Sequence, residues 1–214
     1  MKENYENLIQ DSIKTIINQF HRKPDNFFNE HEFHQYCYHV FYRKKEFSKQ
    51  YETSDGFKTN VLHPEYPTLQ KFSRKKIALD PRGKRARYDM AILSPEFIEN
   101  NPFKKVRCRD IALFKYPFDF KSKNLIAAIE FKYIIEHSPK YIYEIKYDFF
   151  KLKKAEEVEL KYMLVFTNTN DKKIDYFKKI KDDRDIQKIY VSVIKENGKK
   201  HKKIEPYPPE WLDV

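Results

Sequence analysis

The stretch Leu125-Ile126-Ala127-Ala128-Ile129-Glu130-Phe131-Lys132-Tyr133-Ile134 reads as a buried β-strand that carries two charges. Alternation along a strand puts Leu125, Ala127, Ile129, Phe131 and Tyr133 on one face and Ile126, Ala128, Glu130 and Lys132 on the other. Both faces are apolar before the charges begin, which predicts a strand inside a sheet and not a solvated edge. Glu130 and Lys132 point the same way, roughly 6.5 to 7 Å apart along the strand. An unpaired buried charge is costly, so the two are expected to face partners. A carboxylate and an ammonium side by side on a rigid strand suit metal-assisted hydrolysis, provided a second acid stands nearby.

The run Arg85-Ala86-Arg87-Tyr88-Asp89-Met90-Ala91-Ile92-Leu93 supplies that acid. Its alternation puts Arg87, Asp89, Ala91 and Leu93 on one face. If the two strands are neighbours, Asp89 lies about 5 Å from Glu130 across the ladder. Two carboxylates so close repel unless a cation sits between them, and Mg²⁺ or Mn²⁺ with oxygen ligands suits the spacing. Asp89 followed by Glu130-Phe131-Lys132 resembles the PD-(D/E)XK signature of restriction-endonuclease-like nucleases, in the variant with no proline before the first acid. The acid-x-Lys pattern also occurs at Asp119, Glu144, Glu159 and Asp171. Only at Glu130 does it combine a long apolar strand before it, a helix start after it and an upstream Asp on a second strand.

The resemblance implies an αβββαβ core over about residues 28–168, with a mixed central sheet flanked by helices. Residues 1–24 add an N-terminal helix, and 169–214 extend the sheet and end in a hairpin. All of it is expected to form a single α/β domain. The resemblance also implies that Asp89, Glu130 and Lys132 are catalytic, and that Asp89, Glu130 and the Phe131 carbonyl hold the metal. A Glu on the first core helix often reaches toward the metal in this family, and Glu30 lies nearer the centre of the apolar stripe than Glu32, so Glu30 is preferred. The chain departs from the common pattern in its long interval between Asp89 and Glu130.

Composition supports a nucleic-acid partner. The chain has 214 residues and a formal charge of +11. Lys71 to Arg87 holds eight Lys/Arg against one Asp, and Lys195 to Lys203 five Lys against one Glu, so these two segments equal the whole net charge. Concentrated positive charge favours a polyanion, DNA more than RNA by the resemblance. Phosphate contacts are expected from Arg74, Lys75, Lys76, Arg82, Lys84, Arg85 and Arg87; for the second segment a plain solubilising surface is the alternative. No apolar run approaches the ~20 residues of a membrane span and no signal-peptide pattern opens the chain, so a cytoplasmic protein is expected. Cys37 and Cys108 are too few for a disulfide framework, and Cys37 reads as a core thiol.

The first twenty residues repeat apolar positions at Tyr5, Leu8, Ile9, Ile13, Ile16, Ile17 and Phe20, a helix whose stripe serves core packing or a homodimer surface. A second helix runs from an Asn29 N-cap to about Phe47, with His31, His34 and His39 at its surface or flank. Phe57–Leu62 reads as the first strand of the sheet, and Pro64 and Pro67 confine the next segment to an edge or a strand exit, from which Glu65 either approaches the site or, the preferred reading, forms a structural ion pair. A basic loop, Lys71–Lys84, leads to the Asp89 strand. The 31 residues from Ser94 to Asn124 are long for a loop and are expected to contain some helix or to contact substrate. Ser138-Pro139 reads as N-cap and first residue of a long helix with Ile142, Ile145, Phe149 and Leu152 inward. Leu160–Thr167 is a buried parallel strand, a helix spans about Asp171–Lys181, Ile186–Ile194 is another strand, and Asn197-Gly198 turns it back through Lys199–Glu205. The tail pins Trp211 to the body.

The expected activity is Mg²⁺- or Mn²⁺-dependent cleavage of phosphodiester bonds. The alternative is a nuclease-fold protein that binds nucleic acid without cutting it. A stacking RNA-binding protein ranks below both, because no RRM or KH signature is present.

Overall fold

The computed structural model describes residues 2–107, 123–135, 139–168, 185–196, 199–205 and 211–212. Helix α1 (Lys2–Arg22) leads through a single 3-10 turn to α2 (Glu30–Tyr42) and the short α3 (Lys45–Ser48). Strands β1 (Gln50–Glu52) and β2 (Lys58–Asn60) pair only with each other, and β3 (Leu62–Ser73), β4 (Ala78–Leu79) and β5 (Lys84–Leu93) come next. Short helices α4 (Pro95–Glu99) and α5 (Phe103–Val106) precede β6 (Leu125–Ile134), α6 (Pro139–Lys153), β7 (Val158–Thr167), β8 (Ile186–Glu196) and β9 (Lys199–Glu205).

Seven strands make one mixed sheet in the order β4-β3-β5-β6-β7-β8-β9. β6 sits in its middle, antiparallel to β5 and parallel to β7, and every residue from Leu125 to Tyr133 is buried. That is the outcome its two apolar faces require. β6, α6 and β7 form a parallel crossover unit, and α6 turns Ile145, Phe149 and Leu152 into the core. On the opposite face Phe33 of α2 packs on Phe131, Tyr133 and Phe166, and Phe20 of α1 packs on Phe166 with ring centroids 5.2 Å apart. Ile is not a strong helix former, yet α1 carries Ile9, Ile13, Ile16 and Ile17, all wholly buried. Burial of each such side chain contributes about 1.5–3 kcal/mol, more than the ~0.7 kcal/mol that helix propensity withholds. The α1 stripe is therefore core within its own chain, and the dimer-surface alternative falls away.

Several expectations need correction. The first strand of the main sheet is β3, not Phe57–Leu62, whose residues 58–60 pair with 50–52 in the separate hairpin. β3 runs on past its prolines, pairing on one side with β5; on the other side β4 reaches only Phe72 and Ser73, so among the described residues Pro64 and Pro67 face no strand there. The segment Lys71–Lys84 is a hairpin and not a loop: Phe72 and Ser73 pair with Leu79 and Ala78. Gly83 closes it, since a Cβ there would stand 2.4 Å from the Phe72 carbonyl oxygen. The second helix stops at Tyr42, and Phe47 belongs to α3.

Other expectations hold. Asn29 caps α2, its side chain accepting from the Glu32 N–H at 2.9 Å. The interval after β5 contains α4 and α5, and Trp211 donates to Gln187 Oε1 at 3.1 Å, which fixes it on β8. β9 pairs antiparallel with β8 at the edge of the described sheet, where the exposed Lys200 and Lys202 also discourage edge-to-edge association. The helix at 171–181, the Ser138 cap, the Asn197-Gly198 turn and Cys108 lie outside the described residues. Among the described residues no helix is long and apolar enough to cross a membrane.

Candidate active site

Register brings the two acids together. Met90 pairs with Ile129 and Ala91 with Ala128, so Asp89 and Glu130 take the next facing positions, on one side of the sheet. The ladder ends there, and the Asp89 carboxylate takes over the pairing: Oδ2 accepts from the Phe131 N–H at 2.8 Å. Lys132, one alternation beyond Glu130, reaches Glu30 Oε1 at 3.0 Å and Asp148 Oδ2 at 3.2 Å. Asp148 in turn holds Lys151 at 3.0 Å, and Lys151 Nζ stands 2.8 Å from Glu130 Oε1. His34, one turn after Glu30 on α2, places Nε2 3.2 Å from the Phe131 carbonyl oxygen, 3.7 Å from Glu30 and 3.9 Å from Asp89. The carbonyl can only accept, so His34 donates through Nε2.

All five residues expected at the catalytic and metal positions therefore meet: Glu30, Asp89, Glu130, Phe131 and Lys132. Glu30, not Glu32, faces the site; Glu32 turns back to accept from the Phe28 N–H at 2.9 Å. Three further members are Asp148, Lys151 and His34. His34 corrects its placement on the helix flank, and its signal was the four-residue spacing from Glu30. Asp148 and Lys151 sit on α6 between Ile145 and Leu152, so two charges interrupting an inward stripe were the readable sign.

Burial sets the electrostatics. Glu130 is completely buried; its Oε1 stands 2.8 Å from the Lys151 ammonium, and its Oε2 has no hydrogen-bond partner among the described residues. Desolvation therefore pushes its pKa well up, Lys151 opposes this, and Asp89 and Asp148 add to the rise. For Lys132, burial works to lower the pKa, but Asp148, Asp89 and Glu30 together outweigh it and the ammonium is held charged. Lys151 is likewise raised, burial being overcome by Glu130, Asp148 and Asp89. Burial would raise Asp148, yet Lys151 and Lys132 bring it below the usual carboxylate range. The Cys37 thiol beneath the site is fully buried and pushed up, by burial first and then by Asp89, which makes it an inert core group.

Among the described residues the site sets four acids, Glu30, Asp89, Glu130 and Asp148, against two ammonium groups, Lys132 and Lys151, with the His34 imidazole beside Glu30 and Asp89. The donors are oxygens, which suits a hard divalent cation, and Glu130 Oε2, buried without a hydrogen-bond partner among the described residues, is the atom most in need of one. Yet among the described residues no three His, Cys, Asp or Glu side chains converge to hold a metal ion. Ammonium groups stand instead beside Glu30, Asp148 and Glu130.

A cleft of about 360 Å³ opens beside Asp89, between His34, Gln35 and Tyr38 of α2 and Glu65 of β3. Glu65 has a left-handed backbone, φ 51°, a strained conformation for a residue with a Cβ. Its pairing with Arg87 at 3.8 Å is exposed and weak. The expected phosphate contacts divide into two groups. Lys75, Lys76, Arg82 and Lys84 are exposed, as is Arg87. Arg85 is half-buried and donates to the Thr68 carbonyl at 2.7 Å, and Arg74 pairs with Glu144 of α6 at 2.9 Å. Together with a Tyr143 hydroxyl donating to the Arg74 carbonyl and Phe72 against Tyr147 and Phe150, this docks the basic hairpin on α6, the helix that carries Asp148 and Lys151.

Comparison with known proteins finds no match to a family model, a curated protein or a solved structure.

Proposed function

We propose that the chain is a divalent-metal-dependent phosphodiesterase of the restriction-endonuclease-like kind, acting on nucleic acid and on DNA before RNA. The observation that carries this reading is the gathering of Asp89, Glu130 and Lys132 from neighbouring antiparallel strands into an acid-rich site on a net-positive protein. A phosphodiester drawn in by the basic hairpin would be repelled by four carboxylates unless a cation stood between them. The order α2, β3, β5, β6, α6, β7, with two antiparallel steps and then a parallel one, is similar to the αβββαβ core and supports the same reading.

Asp89, Glu130 and the Phe131 carbonyl would hold the cation, with Glu30 released from Lys132 as a further ligand. When bound, a divalent ion polarises the phosphate and acidifies a water at neutral pH. Lys132, whose charged form the surrounding acids favour, would orient the attacking water or stabilise the negative charge that develops on the phosphate. His34 fixes the Phe131 carbonyl and stands between Glu30 and Asp89. The binding-only alternative draws on one observation, the engagement of the acids by lysines.

The test is a panel of linear, circular, single-stranded and branched DNAs plus RNA, incubated with purified protein in Mg²⁺ and in Mn²⁺. Cleavage by wild type that is lost in Glu130→Gln supports a nuclease; binding with no cleavage of any member gives the alternative.

A further inference from the structure

Lys151 stands where a metal-binding acid should be free. Its Nζ is 2.8 Å from Glu130 Oε1, 3.0 Å from Asp148 Oδ1 and 2.6 Å from the Arg87 carbonyl oxygen, and its side chain is 4% exposed. Two carboxylate oxygens and a backbone carbonyl around a buried positive charge make an all-oxygen cation cage, here filled by the chain's own ammonium. Both Lys132 and Lys151 are attached by long flexible stems, but only Lys151 touches Glu130.

We propose that Lys151 is a tethered counter-cation that holds Glu130 in the metal-free site and must withdraw before a divalent ion can bind. The inference rests on the reading of Glu130 as a metal ligand. A divalent ion bonds a carboxylate oxygen at about 2.1 Å. With the ammonium already 2.8 Å from that oxygen, the two cations would lie within a few ångströms of each other in a site closed to screening water. They exclude one another, so Lys151 lowers the affinity for free metal. Asp148 is what it falls back on: it binds Lys151 through Oδ1 and Lys132 through Oδ2, so Lys151 keeps a partner after releasing Glu130. Lys151 lies in the last turn of α6, where the helix carbonyls also favour a cation.

The experiment measures Mn²⁺ binding by titration calorimetry to full-length wild type, Lys151→Met and Glu130→Gln. Lys151→Met keeps the stem length and removes the charge; it should bind Mn²⁺ at least tenfold more tightly than wild type, with a larger Mn²⁺-linked rise in melting temperature. A folded Lys151→Met with unchanged or weaker affinity, beside a wild type that binds Mn²⁺ through Glu130, overturns the inference and leaves the nuclease reading standing. Failure of wild type and Lys151→Met alike to bind overturns both. Because removing Lys151 strips two buried acids of a partner, a second measurement uses the native protein: acetylation of lysines read by mass spectrometry. Lys151 should be protected without metal and modified faster in saturating Mn²⁺. Equal modification with Mn²⁺ bound would equally overturn the inference.

Discussion

Replacing Asp148 by Ala removes the one acid that joins both lysines of the site, and the structure sets the size of the expected loss. Asp148 lies 3.2 Å from Lys132 and 3.0 Å from Lys151, with its side chain 9% exposed. Without it, two buried ammonium groups share the remaining acids. Breaking a buried pair by removing one partner costs about 3–5 kcal/mol, a large share of the ~5–15 kcal/mol that holds a domain folded. At about 2–4 °C per kcal/mol for a chain of this size, melting should fall by roughly 6–20 °C. Arg74→Ala is the internal control: that arginine is 62% exposed, so its pair with Glu144 should be worth under about 1 kcal/mol. The sign with pH comes from the lowered pKa of Asp148. Its contribution is present above the unfolded value near 3.9 and is lost as pH falls through the folded value, so wild type and Asp148→Asn should converge in acid. Urea unfolding monitored by circular dichroism at pH 7 and at successively lower pH measures both. A loss below about 1 kcal/mol for Asp148→Ala at pH 7 would show that the lysines do not depend on it.

Two further perturbations probe the hairpin and the α1 end. Replacing the exposed Lys75, Lys76, Arg82 and Lys84 together by Ala should reduce the log-log salt slope of metal-free duplex binding by about 3 to 4 units; an unchanged slope in fluorescence anisotropy would move the grip to the lysines of β9. His21 is buried with no hydrogen-bond partner for Nε2 among the described residues, and burial, helped by Lys202, lowers its pKa to about 4. A base depressed in the folded state supports stability above its unfolded value near 6.5, and that support is lost as pH falls toward 4, by on the order of 3 kcal/mol. His21→Phe should therefore flatten the pH dependence of the melting temperature between pH 6.5 and 4, and a curve parallel to wild type would refute the assignment.

The central strand, its parallel partner, the long helix between them and the Asp89 strand were legible because each has enough apolar residues to show a period, and because Glu130 and Lys132 break a run that has no other reason to break. Asn29 was legible as a cap from local chemistry alone. The β1–β2 hairpin was not, since three residues give no alternation to read, and the end of α2 was lost because Phe47 of α3 continues the apolar stripe across the break. His34, Asp148 and Lys151 depend on how α2 and α6 dock at the end of the sheet, a relation between distant segments. Arg85 looked like its basic neighbours in sequence; only the fold turns it toward the Thr68 carbonyl.

The most direct test of the proposed chemistry is single-turnover cleavage of a labelled DNA in Mn²⁺ by wild type, Glu130→Gln and Lys132→Met, purified side by side and shown to be folded by circular dichroism. Wild type should cut, Glu130→Gln should be inactive, and Lys132→Met should be slower by about 10²–10³ or more. Equal rates in all three would contradict the assignment, because the cutting would then come from somewhere other than this site.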